Sequence, residues 1–203
     1  MARRATIGLG AVLLLLLIAV ASMVRIVPAS APVAAPVPQP ATPMTRANEG
    51  NSFSHALLTV PVQGVPRGQI VDTWGQSRDA GARQHQATDI MAAGGTPVIA
   101  AAPGTVEKLF DSKGVGGISV YVRSPDRLWS YYYAHLQGYA PGLVEGMQVR
   151  PGDLLGYVGD TGNSGTGNFH LHFGVSRMRP EERWHQGRPV NPYPLLAGSA
   201  PRG

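Results

Sequence analysis

The chain reads as an all-β domain of antiparallel sheets, closed into a sandwich or barrel, behind an N-terminal apolar helix. Three observations predict it. Apolar residues come in short runs, several with the clean two-residue alternation of a half-buried strand. The 26 glycines and 18 prolines of the 203-residue chain punctuate those runs as tight turns would. After residue 60 no stretch carries a helical period of useful length, which leaves short strands at close spacing.

The elements follow in order. Met1 to Arg4 is basic, and Ala5 to Val24 carries no charge. A basic start before an apolar run marks residues 1–27 as a signal peptide or a membrane anchor. The uncharged run matches the roughly 20 residues a spanning helix needs, which favours the anchor. Ala19-Val20-Ala21 and Ala29-Ser30-Ala31 would both serve as cleavage sites. Positive charge at the N-terminus keeps that end in the cytoplasm, so the remainder is exported. Residues 28–51 form a linker, because proline as dense as that in Pro28 to Thr45 builds neither helix nor central strand.

Residues 52–198 form the folded domain, and 199–203 a tail. Phe53 to Val62 is a short apolar stretch whose His55 reads as a surface or packing residue. Pro97 to Ala102 is a small apolar run turned by Pro103-Gly104, and Thr105 to Phe110 is the next strand. Ile118 to Arg123 alternates cleanly and pairs as a hairpin with aromatic-rich Leu128 to Leu136 across the turn Ser124-Pro125-Asp126. Met147 to Val158 holds two further short strands around Pro151-Gly152-Asp153.

Composition narrows the chemistry. There are no cysteines, so disulfides, thiolate metal sites and a cysteine nucleophile are excluded. The formal charge of +5 is mild and suits an acidic polymer or membrane surface. No dense Lys/Arg patch interleaved with aromatics appears, which speaks against nucleic acid.

Five residues carry the chemistry that remains. His85 stands four residues before Asp89, which is followed by apolar Ile90-Met91. His135 closes the aromatic strand. In Phe169-His170-Leu171-His172-Phe173, a strand would set both histidines on one face and Phe169, Leu171 and Phe173 on the other. Singly, each has a plainer reading, as a surface pair, a satisfied strand histidine or a solvent-facing edge. Together they supply what zinc hydrolysis needs, three His/Asp ligands and a nearby proton carrier. Tyr131-Tyr132-Tyr133 reads as sheet packing. His185 reads as a surface residue, and Trp74 and Trp184 could line a groove.

With those residues in view, the chain resembles the lysostaphin-like (LytM-type) zinc metallopeptidases, which cleave the peptide part of bacterial peptidoglycan. The resemblance runs from about Trp74 to Leu196. It rests on an ordered set: His85-x-x-x-Asp89, Ala102-Pro103-Gly104-Thr105-Val106, Tyr133-Ala134-His135-Leu136, and Val149-Arg150-Pro151-Gly152-Asp153-Leu154-Leu155-Gly156. Gly159-Asp160-Thr161-Gly162-Asn163, His170-Leu171-His172 and Val190-Asn191-Pro192 complete it. It implies a barrel-sandwich hybrid of the duplicated hybrid motif type, with a groove across one sheet. It also implies Zn2+ held by His85, Asp89 and His172, with His135 and His170 as catalytic histidines. The implied substrates are peptidoglycan stem or cross-link peptides, with membrane contact through the N-terminal segment if uncleaved.

Two departures from the family pattern stand out. Ala87 occupies the glycine of H-x-G-x-D, where a positive φ would cost an alanine about 1 kcal/mol. The loop Asn163 to Phe169 is longer than the commonest form and is expected to border the cleft. A non-catalytic binding or regulatory module on the same fold is the alternative reading, and such members typically lack metal-site residues. A biotinyl-type carrier lacks its lysine here.

Overall fold

The computed structural model describes residues 57–78 and 81–198. The expected apolar helix, the linker, His55 and the tail lie outside these residues. Among the described residues no helix is long and apolar enough to cross a membrane.

The architecture is the expected antiparallel one. A two-stranded ribbon joins β1 (Ser77–Arg78) to β2 (Arg83–Gln84). Nine further strands form one curled sheet: β3 (Thr88–Met91), β4 (Pro97–Ile99), β5 (Gly104–Ser112), β6 (Gly117–Arg123), β7 (Trp129–Tyr139), β8 (Gln148–Val149), β9 (Leu154–Val158), β10 (His170–Arg177) and β11 (Arg188–Val190). The main path is β11-β10-β7-β6-β5-β8, with β3 on β10, and with β9 joining β4 to β7. Among the described residues the helical elements include a 3-10 turn at Arg67–Gln69 and one short helix, α1 (Tyr193–Ala197), closed by Gly198 at φ 76°.

The eleven-residue strand β7 organises the sheet. It pairs with β6 along one edge, and along the other with β10 through its first half and β9 through its second. Alternation decides which side chains meet. Tyr131, Tyr133, Leu171, Phe173 and Val175 point inward and are 0–6% exposed, packed with Val106, Val120, Val122, Leu155 and Val158. Tyr132, His172, Gly174 and Ser176 line the opposite face. The three consecutive tyrosines therefore divide: two fill the core, and Tyr132 faces the groove.

One placement differs from expectation. Phe169 is 37% exposed rather than packed beneath the sheet. Strand β10 begins only at His170, so the alternation does not reach Phe169. Its ring lies over Gly94 instead, where any Cβ would collide with it.

Candidate active site

Pairing of β3 with β10 builds the centre. The register places His172 directly opposite Asp89 and Phe173 opposite Thr88. Residues opposite one another across an antiparallel pair share a face, so a carboxylate and an imidazole 83 residues apart meet on the groove side. His85, 2% exposed, enters from the segment joining β2 to β3.

Three donor atoms converge there. His85 Nε2 lies 3.0 Å from His172 Nδ1 and 3.1 Å from Asp89 Oδ1, and His172 Nδ1 lies 3.0 Å from Asp89 Oδ1. Four-coordinate zinc with bonds of 2.0–2.1 Å separates its ligands by about 3.3–3.4 Å. The donor chemistry fits a cation. The His85 Nδ1–H donates to the Thr73 carbonyl at 2.8 Å, because a carbonyl can only accept. That leaves His85 Nε2 as a bare lone pair, aimed at a carboxylate oxygen and a second imidazole. The cluster has more lone pairs than protons to share, and a divalent metal satisfies all three. Among the described residues, His85, Asp89 and His172 form the His/Asp group with metal-binding spacing.

His135 and His170 complete the wall. Each repeats the same device: the His135 Nδ1–H donates to Thr161 O at 2.7 Å, and the His170 Nδ1–H to Asn168 O at 2.8 Å. Each ring thus keeps Nε2 free of its own proton. The two rings meet edge to face at 5.0 Å, and His135 lies 5.5 Å from the His172 ring. His170 Nε2 is 3.8 Å from Asp89 Oδ1. All five sequence-predicted residues therefore come together.

His135 reaches the groove by a β-bulge. Strict alternation after Tyr133 would turn His135 into the core and Leu136 out. Instead Ile118 pairs with Leu136 and Val120 with Tyr133, so Ala134 and His135 together oppose Ser119. Leu136 returns to the core at 0% exposure, and His135 is re-aimed with its backbone at φ 60°. A non-glycine residue there costs roughly 1–2 kcal/mol, a strain that persists at sites whose surroundings over-determine it.

Electrostatics follow the geometry. Burial opposes charge on Asp89, but hydrogen bonds and charge interactions with His172 and His85 outweigh it and hold the carboxyl well below the usual range. Burial, with the neighbouring His172 and His170, pulls His135 down to about 4 against the lift from Thr161. Burial also lowers His172 against the pull of Asp89. His135 and His172 are accordingly neutral at pH 7, the state that ligation and proton acceptance require.

The cavity over these residues is small, about 170 Å3, and Arg78, Arg83, Asn163, Ser164 and Asn168 rim it. The long glycine loop does border the cleft. A neighbouring cavity of about 390 Å3 continues past His172 along Tyr132, Tyr121 and Trp184. A larger apolar cavity of about 420 Å3 lies by Trp129, Tyr131 and Leu195; no histidine or carboxylate lines it, so the metal-binding spacing belongs to the smaller one.

Sequence reasoning missed Arg78 and Thr73. Arg78 pairs with Asp89 Oδ2 at 2.5 Å, and Thr73 supports both His85 and the Asp89 N–H. Neither carries a local signal; only strand pairing brings them in. Trp184, a groove candidate from the sequence, does line the neighbouring cavity, packed on Tyr121 and Phe110. Ala87 proves unstrained. Among the described residues only Arg127 and His135 combine a side chain with positive φ, and Ala87 is fully buried.

A curled antiparallel sheet bearing a His-Asp-His cluster and two spare histidines is an arrangement that could hold a metal and activate water. Peptidase family M23 matches residues 83–192, more than half of the chain, and the chain belongs to that family. It is 37% identical over 130 residues to an L-Ala–D-Glu endopeptidase of Bacillus subtilis, covering 61% of this chain and 38% of that protein. It is 37% identical over 123 residues to the DD-carboxypeptidase/endopeptidase Mpg of Neisseria meningitidis serogroup B, covering 61% and 23%. The chain thus spans less than half the length of these curated relatives. The catalytic domain of the antimicrobial peptidase lysostaphin from Staphylococcus simulans superposes with a TM-score of 0.52 at 25% identity, covering 63% of this chain and 91% of that one.

Proposed function

We propose that this chain is an exported zinc endopeptidase that hydrolyses peptide bonds in bacterial peptidoglycan. The observation that carries this reading is the convergence of His85 Nε2, Asp89 Oδ1 and His172 Nδ1 within 3.1 Å, beside two histidines that the cluster does not use. Zinc held there would polarise the scissile carbonyl and acidify water, chemistry that no side chain here supplies alone.

The protein's own residues do the rest. His135 and His170 each have one nitrogen occupied on a carbonyl, so only Nε2 can take a proton from the attacking water. Once protonated, that same nitrogen becomes a donor, able to hydrogen-bond the developing oxyanion or deliver the proton to the leaving amine. Relatives named for L-Ala–D-Glu and DD-endopeptidase activities support the substrate class. The basic start and the 20-residue uncharged run support export, with the domain tethered at the membrane by its spacer. Retention of all five residues argues against the non-catalytic module.

Substituting His172 and His170 separately by alanine tests the reading. His172→Ala will lose bound zinc and the ability to clear a suspension of purified cell walls. His170→Ala will keep its zinc and lose clearing by at least about a hundredfold. Full clearing by His172→Ala would overturn the assignment.

A further inference from the structure

We propose that Thr161 is a positioning residue for His135, its hydroxyl holding the bulge and its carbonyl holding the ring. The inference rests on the hydrolytic reading of the site and adds to it a residue outside the five. Thr161 makes three contacts at one point of the sheet. Its carbonyl accepts the His135 Nδ1–H at 2.7 Å. Its Oγ1 accepts the Ile118 N–H at 3.0 Å and donates to the Leu136 carbonyl at 2.7 Å. Ile118 and Leu136 are the partners that flank the bulge. The hydroxyl therefore bridges β6 and β7 where the ladder is broken, and the same residue then captures the ring that the bulge has turned outward.

The neighbourhood is shaped to admit this one residue. Gly117, at φ 61°, faces Thr161 so closely that any Cβ there would strike its Oγ1 and backbone. Gly162, at φ 73°, meets Val115 O and Gly117 N in the same way. The His135 N–H closes onto Gly116 O at 2.8 Å, and the Asn163 N–H onto Val115 O at 2.8 Å. A strained catalytic backbone is thus clamped on both sides, and Thr161 touches the bulge and the imidazole together. Because Nδ1 is fixed on its carbonyl, displacement of Thr161 moves Nε2, the atom that handles protons.

Kinetics with a soluble peptidoglycan peptide, together with zinc affinity by chelator competition, test the assignment. Thr161→Val keeps the shape and removes the hydroxyl. It is expected to lower kcat about 10- to 100-fold while KM and zinc affinity stay within about threefold. Thr161→Ser, which keeps the hydroxyl, is expected to recover kcat to within about threefold. Wild-type kcat in the valine variant, a serine variant no better than valine, or equal losses in kcat and zinc affinity would overturn the proposal. A second readout does not require the valine variant to fold. Imidazole 15N NMR of the wild-type protein must show His135 protonated on Nδ1 and protected from exchange, and an Nε2–H tautomer would overturn it. Wild-type protein that hydrolyses no peptide would refute the hydrolase reading, and the NMR readout would still decide the role of Thr161.

Discussion

Asp89 gives its two carboxylate oxygens to different partners: Oδ2 lies 2.5 Å from Arg78 Nη2, while Oδ1 faces His85 and His172 at 3.1 and 3.0 Å. The guanidinium occupies the outer oxygen and leaves a single one for a metal. Residues behind the ligands commonly contribute 10- to 100-fold in metal affinity. Arg78→Gln is expected to weaken zinc binding by about that factor, read by chelator competition, with the far-UV circular dichroism unchanged.

Ala87 replaces the glycine of the family pattern, yet its methyl is fully buried and its backbone lies outside the positive-φ set. Glycine there would add unfolded-state entropy and leave a small void. Ala87→Gly is expected to cost about 1 kcal/mol in urea unfolding, with zinc affinity unaltered.

The metal-free protein should weaken as acid is added. His135 is held near 4 by burial, against about 6.5 in an unfolded chain. Between these values the unfolded state binds the proton and the folded state does not, so stability present above pH 6.5 is lost as pH falls towards 4. With His135 only 5% exposed, the loss is on the order of 3 kcal/mol. Urea midpoints at pH 7 and pH 4.5 measure it. The difference between the two should shrink in His135→Gln.

Arg123 is 2% exposed and fully engaged. It pairs with Glu107 at 2.7 Å and donates to the carbonyls of Glu182 and Arg127 at 2.7 and 3.1 Å. It ties the segment bearing Trp184 to the sheet. Removing one partner of a buried pair strands the other. Arg123→Ala is expected to destabilise the domain by roughly 3–5 kcal/mol, measured by chemical unfolding.

Much of this protein is legible in its residue order because the information is local. Two-residue alternation marked β6, β7 and β10, glycine and proline marked their turns, and the spacing of His170 and His172 required that both lie on one face. The identities of all five histidine and aspartate residues belong to the same category. Phe169 shows the limit of that logic, since alternation holds only where a strand exists, and β10 starts one residue later.

Tertiary structure decided the rest, because it depends on register between segments distant in sequence. The chain order by itself determined an antiparallel β domain and the residue types able to hold a metal and move protons. Only the pairing of β3 with β10 set Asp89 against His172, and only the bulge opposite Ser119 turned His135 from core to groove. The carbonyls of Thr73, Thr161 and Asn168, which fix which nitrogen each histidine presents, are backbone atoms. Every residue has one, so no sequence distinguishes them. The roles within the cluster follow from where the folded backbone places those oxygens.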